Sequence, residues 1–121
     1  DLKTFNDLTF KADEIRSDCF RTTFTFDNYV MSITYGPSMY GKGPAYDTYE
    51  VALFQDDDSD DLLPLSHDSD VLGWQNGEEI TSLMKIVQTE PDFGTCLKVM
   101  KRTKYSRRFN NISHMRDEAF S

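Results

Sequence analysis

"CFRTTFTFDNYVMSITY", residues 19 to 35, decides what kind of sheet this chain can build. Phe20, Phe24 and Phe26 fall on one face of an extended run, and Arg21, Thr23 and Thr25 fall on the other. That period of two marks a half-buried strand. Asp27 and Asn28 then separate Phe26 from a second extended run, "YVMSITY" (29–35). Asp and Asn tolerate positive φ, so the pair predicts a tight two-residue hairpin. A hairpin fixes the pairing of these two strands as antiparallel.

Working outward, "YDTYEVALF" (46–54) alternates again, with Asp47, Tyr49, Val51 and Leu53 on one side. Between the hairpin and this strand lies "GPSMYGKGPA" (36–45), whose three Gly and two Pro are too punctuated for regular structure. Upstream, "FNDLTF" (5–10) places Phe5, Leu8 and Phe10 as an N-terminal strand would. Downstream, the pattern changes period. Asn76 is a good N-cap, Glu79 stands where a capping-box partner belongs, and Glu78 with Glu79 suits the positive end of a helix. Ile80, Leu83, Met84 and Val87 then follow the stripe of a helix packed on a sheet, and Pro91 stops it. "TCLKVMKR" (95–102) reads as a further strand. "YSRRFNNISHM" (105–115) spaces Tyr105, Phe109 and Ile112 as a short amphipathic helix. The expected fold class is α+β: a mostly antiparallel sheet of four to five strands with one main amphipathic helix, about 77–89, packed on it.

A chain of 121 residues suffices for one domain with its own core, and nine Phe, six Tyr and one Trp supply much of the apolar bulk. No stretch approaches the roughly 20 apolar residues of a membrane span, and no signal-peptide pattern opens the sequence. The first residue is Asp1 rather than Met, which is expected to reflect a trimmed start with room for a targeting segment ahead of it. Cys19 and Cys96 form no CxxC motif and read as free thiols of a reducing compartment, which makes the sequon Asn111-Ile112-Ser113 a chance match. The charge is unevenly spread. Residues 1–91 hold 18 acids and 6 bases, a balance of −12, whereas residues 92–121 hold 3 acids and 7 bases, a balance of +4. We therefore expect an acidic α+β domain over 1–91 and a basic C-terminal extension over 92–121 packed on the same domain.

The densest charge is "FQDDDSDDLLPLSHDSD" (54–70), with seven carboxylates and no Lys or Arg. An EF-hand loop needs a Gly at its sixth position and a Glu at its twelfth, and counting from Asp56 puts Asp61 and His67 there. Counting from Asp57 or Asp58 fails equally. His67 with Asp68 and Asp70 lacks the further ligands of a metal site, since the second His of the chain, His114, lies in the basic tail. "GKGP" is no P-loop, and no GxSxG elbow occurs. No metal, cofactor or catalytic residue is assigned, and the chain is not expected to be an enzyme. The acids are left with solubility or recognition. Met39 and Tyr40 sit on the Gly/Pro-rich loop as apolar anchors for a partner, or belong to an ordinary connector whose Tyr40 packs back on the sheet. The tail "KVMKRTKYSRRF" interleaves bases with Tyr105 and Phe109, a mix that grips phosphates and stacks bases, or that covers the core while neutralising the acidic body.

The order of these segments resembles a family of short, uncharacterised proteins of tailed bacteriophages. The likeness spans about residues 5–88. Its members carry an "FNDLEF"-type strand, a Gly/Tyr-containing hairpin, a "YELAVL"-like strand, an acidic "DDVLGYL" link and an "EEVTEIM" helix. The matching residues here are most specific at Tyr49-Glu50-Val51-Ala52-Leu53 and at Asp70-Val71-Leu72-Gly73-Trp74 before the capped helix. The extra acids at 56–61 and the basic tail beyond Pro91 depart from the pattern. The resemblance implies a phage origin and the cytoplasm of an infected bacterium, and it carries no catalytic residues.

The expected function is that of a phage accessory protein, of host-takeover or anti-defence type. It would bind a host or phage nucleic-acid-handling protein and inhibit or redirect it, its carboxylates standing in for phosphates. Asp56, Asp57, Asp58, Asp60, Asp61, Asp68 and Asp70 would carry this contact, with Met39 and Tyr40 as anchors. The alternative is a nucleic-acid- or virion-associated factor acting through Lys98, Lys101, Arg102, Lys104, Arg107 and Arg108, whose binding would fall steeply with salt and be lost with residues 95–121. Nucleic acid is a partner in that alternative alone.

Overall fold

The computed structural model describes residues 1–55, 62–65 and 70–98. Five strands form one antiparallel sheet in chain order: β1 (Lys11–Ala12), β2 (Phe20–Phe26), β3 (Tyr29–Tyr35), β4 (Tyr49–Gln55) and β5 (Val71–Gln75). A helix, α1 (Gly77–Thr89), follows directly. With the short 3-10 turn at Phe5–Asp7, this is an α+β architecture, as the sequence predicts.

The β2–β3 hairpin closes as its sequence requires. Phe26 pairs with Tyr29, and Asp27 takes φ 54, the left-handed conformation that a two-residue turn demands. Register then sorts the side chains. Phe24 lies opposite Met31, which lies opposite Leu53, while Ile33 lies between Thr22 and Val51. These residues share one face, and Tyr29, Met31, Ile33, Tyr49, Val51 and Leu53 on it are all buried. α1 sets Ile80, Met84 and Val87 into the same core, with Leu83 at its edge. Of the three phenylalanines expected together on one face of a half-buried β2, only Phe24 is enclosed. Phe20 and Phe26 are 39% and 40% exposed, at the two ends of a strand whose outer neighbour β1 is two residues long.

The entry to α1 is doubly secured. The Asn76 side chain accepts from the Glu79 N–H at 2.8 Å, and the Glu79 carboxylate accepts from the Asn76 N–H at 2.9 Å. The Gly77 N–H donates to the Asp47 carboxylate at 3.0 Å, which places a negative charge at the positive end of the helix. Asp47 can do this because it lies in a turn at φ 49. For the same reason β4 starts at Tyr49 and not at residue 46 as expected.

Three further expectations are corrected. "FNDLTF" is not a strand: Phe5–Asp7 is a 3-10 turn, and the Asp7 carboxylate accepts the Thr4 N–H at 2.8 Å. Its aromatics still enter the core, with Phe5 and Phe10 ring centroids 4.9 and 5.4 Å from that of Tyr49. The start of "TCLKVMKR" is helical, within a segment covering 93–98, because the Cys96 N–H reaches the Asp92 carbonyl at 2.9 Å. A spacing of four then turns Phe93 and Leu97 together onto the core. Tyr29 ties this segment to the sheet by donating to the Pro91 carbonyl at 3.0 Å and accepting from the Gly94 N–H at 2.9 Å. Finally, Val71–Gln75, expected to be a link, is the edge strand β5. Residues 105–115 lie outside the described residues. Cys19 is buried, Cys96 is exposed, and both are free thiols.

Candidate interaction surfaces

The acidic connection leaves β4 at Gln55 and returns at Leu62, and both anchor points are fixed. Gln55 is buried opposite Tyr29. Leu62 bridges Phe54, and the next residue, Leu63, is fully buried with its N–H on the Leu53 carbonyl at 2.7 Å. Asp56, Asp57, Asp58, Asp60 and Asp61, with His67 and Asp68, lie outside the described residues. Asp70 is described: it is partly buried, at the bend that opens β5.

The end of the sheet from which this connection departs is itself acidic. The Asp27 turn is there, because Tyr29 and Gln55 are paired. The exit of α1 is there too, because Tyr29 holds Pro91 and Gly94. Asp27, Glu90 and Asp92 are all exposed, and the last turn of α1 carries no basic residue to offset the negative end of its dipole.

Met39 and Tyr40, expected together as exposed anchors, part company. The loop folds back through a Gly36–Gly41 bridge, and the Met39 N–H bonds the Gly36 carbonyl at 3.0 Å. This turn buries Met39 to 8% exposure, so it is corrected from surface anchor to interior side chain. Tyr40 is 58% exposed, and its N–H donates to the Glu50 carboxylate at 3.2 Å. Of the basic candidates, Lys98 closes the described residues, partly buried, while Lys101, Arg102, Lys104, Arg107 and Arg108 lie outside them.

Trp74, which no sequence pattern marks as a site residue, is 52% exposed beside Tyr40 at a ring-centroid distance of 6.3 Å. The two are far apart in the chain, and no local pattern joins them. Among the described residues, no three His, Cys, Asp or Glu side chains converge, and no helix is long and apolar enough to cross a membrane. Burial raises the Tyr49 hydroxyl above the ordinary tyrosine range, with the Asp47 carboxylate and Tyr35 adding to the effect. The chain matches no protein-family model, no curated protein and no solved structure.

Proposed function

We propose that this chain is a non-enzymatic accessory protein of a tailed bacteriophage. It acts in the cytoplasm of the infected bacterium, where it binds a host or phage nucleic-acid-handling protein through an acidic surface and inhibits or redirects it. The observation that carries this reading is the anchoring of the acidic connection. The sequence between Gln55 and Val71, both paired in the sheet, holds seven carboxylates and no Lys or Arg, and the sheet end at Gln55 exposes Asp27, Glu90 and Asp92. Negative charge gathered in one segment is what a surface built for phosphates would engage, and it speeds encounter with a basic partner. The phage origin rests on the sequence motifs.

A pull-down from nuclease-treated bacterial lysate tests it, with the parent chain compared against a variant carrying Asn at 56, 57, 58, 60, 61, 68 and 70. The expected result is a stoichiometric nucleic-acid-handling protein on the parent, released by moderate salt and missing from the variant. Equal retention on both would sink the acidic reading. RNA or DNA co-eluting without nuclease, and lost when residues 99–121 are removed, would favour the basic tail instead. That deletion spares Leu97, which packs on the core.

A further inference from the structure

Trp74 stands in a conformation that tryptophan rarely accepts. Its φ is 59, the left-handed region, where a bulky L-residue is an outlier. The cause is a bulge in β5. Gln75 lies opposite Tyr49 and Leu72 opposite Val51, so Gly73 and Trp74 together face Glu50 alone. The glycine beside it cannot bring a larger side chain in its place, because a Cβ on Gly73 would stand 2.6 Å from the Tyr40 Cβ. The bulge is locked by the Trp74 N–H, which donates to the Tyr40 carbonyl at 2.7 Å. Its product is a half-exposed indole inclined at 59° to the exposed Tyr40 ring. Strained backbone that serves to present a large aromatic to solvent is a mark of a functional site.

The surroundings say what the rings attract. The Lys42 ammonium lies 5.6 Å from the Trp74 ring centroid and also donates to the Pro37 carbonyl at 3.2 Å. Aromatic faces are electron-rich, and the Glu50 carboxylate, held by the Tyr40 N–H, adds a full negative charge nearby. The −12 balance of residues 1–91 draws cations from further off. We propose that Trp74, Tyr40 and Glu50 form a docking site for an arginine side chain on a basic segment of a partner protein, which takes the place Lys42 holds over the indole. A guanidinium suits the site better than an ammonium, because it stacks flat on an aromatic face and offers a two-pronged donor to a carboxylate. Lys42 is exposed, on a long single stem, and free to give way. The site lies at the β4 end that bears Tyr49, opposite the end where the acidic connection leaves, and it stands whether or not that connection binds anything.

Trp74 is the only tryptophan of the chain, so its emission reads this site alone. The probe is a capped Gly-Arg-Gly-Arg peptide, with its citrulline counterpart as the uncharged control. The background is the full chain with the seven link acids changed to Asn. The expected result is a saturable change with the arginine peptide and none with citrulline. Lys42→Ala should saturate at about two- to fivefold lower peptide concentration, because its own competing cation is gone, and Glu50→Gln at a higher one. A citrulline response equal to that of arginine, or a Lys42→Ala variant that binds no better, overturns the proposal. Loss of the response in the Asn background, with the parent responding, assigns arginine to the acidic link and overturns it as well. An emission change on concentrating the protein alone would place a second copy on the rings and do the same.

Discussion

A left-handed φ costs a bulky residue roughly 1–2 kcal/mol, and at Trp74 that cost is set against an indole that is half in water. Trp74→Gly removes both strain and ring. Its unfolding free energy, from urea titration, should stay within about 1 kcal/mol of the parent, where deleting an enclosed aromatic costs about 3–5 kcal/mol. Gly43 is the opposite case. It has φ 94, and a Cβ there would stand 2.5 Å from the Tyr35 ring. Gly43→Ala combines backbone strain with a clash and should lose about 2 kcal/mol or more in the same titration. At Tyr49 the raised pKa sets a pH dependence. The folded hydroxyl keeps its proton where the unfolded one ionises, so its contribution is complete below the ordinary value near 10 and is lost as pH rises through the folded value. Stability should therefore fall above about pH 10, and the fall should be shallower in Tyr49→Phe.

The capping box of α1 was legible because its grammar is local. Asn76 and Glu79 satisfy each other's backbone donors three positions apart. Asn76→Ala should cost about 1 kcal/mol by thermal or urea unfolding. The hairpin and β4 were legible by the same logic, since alternation survives wherever one face is buried. β5 was not, because the Gly73-Trp74 bulge breaks the alternation. "FNDLTF" misled because the spacing of Phe5, Leu8 and Phe10 serves a 3-10 turn and a short strand equally well. Phe93 and Leu97 misled because a single helical turn repeats too little to show its period. The Tyr40–Trp74 pair was out of reach altogether, as only the fold brings loop and edge strand together. What holds the 93–98 segment was hidden for the same reason. Tyr29→Phe leaves the Pro91 carbonyl and the buried Gly94 N–H without their partner. It should cost about 1–3 kcal/mol and hasten amide exchange at Gly94.

Charge acts over longer distances than any of these contacts. An excess of acids at one end of the sheet repels itself, which favours solubility and opposes compactness. Replacing the link acids by Asn should leave the fold intact and raise the melting temperature at low salt. The gain should shrink as salt rises, because exposed charges are screened beyond about 10 Å at 0.1 M. A gain that persists in high salt would mean the acids act on the core and not through their field.

Because the strands lie side by side in the order in which they occur, each pairs with the one that precedes it in the chain. Such short-range pairings cost little loop entropy and form quickly. The clasp between the N-terminal segment and α1 spans a far wider separation. The Lys3 N–H and carbonyl exchange two 2.9 Å bonds with the Gln88 side chain, 85 positions away, and the Phe5 N–H donates to the Thr81 hydroxyl at 3.0 Å. During synthesis, then, the sheet can grow strand by strand as the chain emerges. Residues 3–8 are made ahead of all five strands, yet their bonds to Gln88 and Thr81 can close only once the helix is complete, so a segment older than the sheet is among the last to lock.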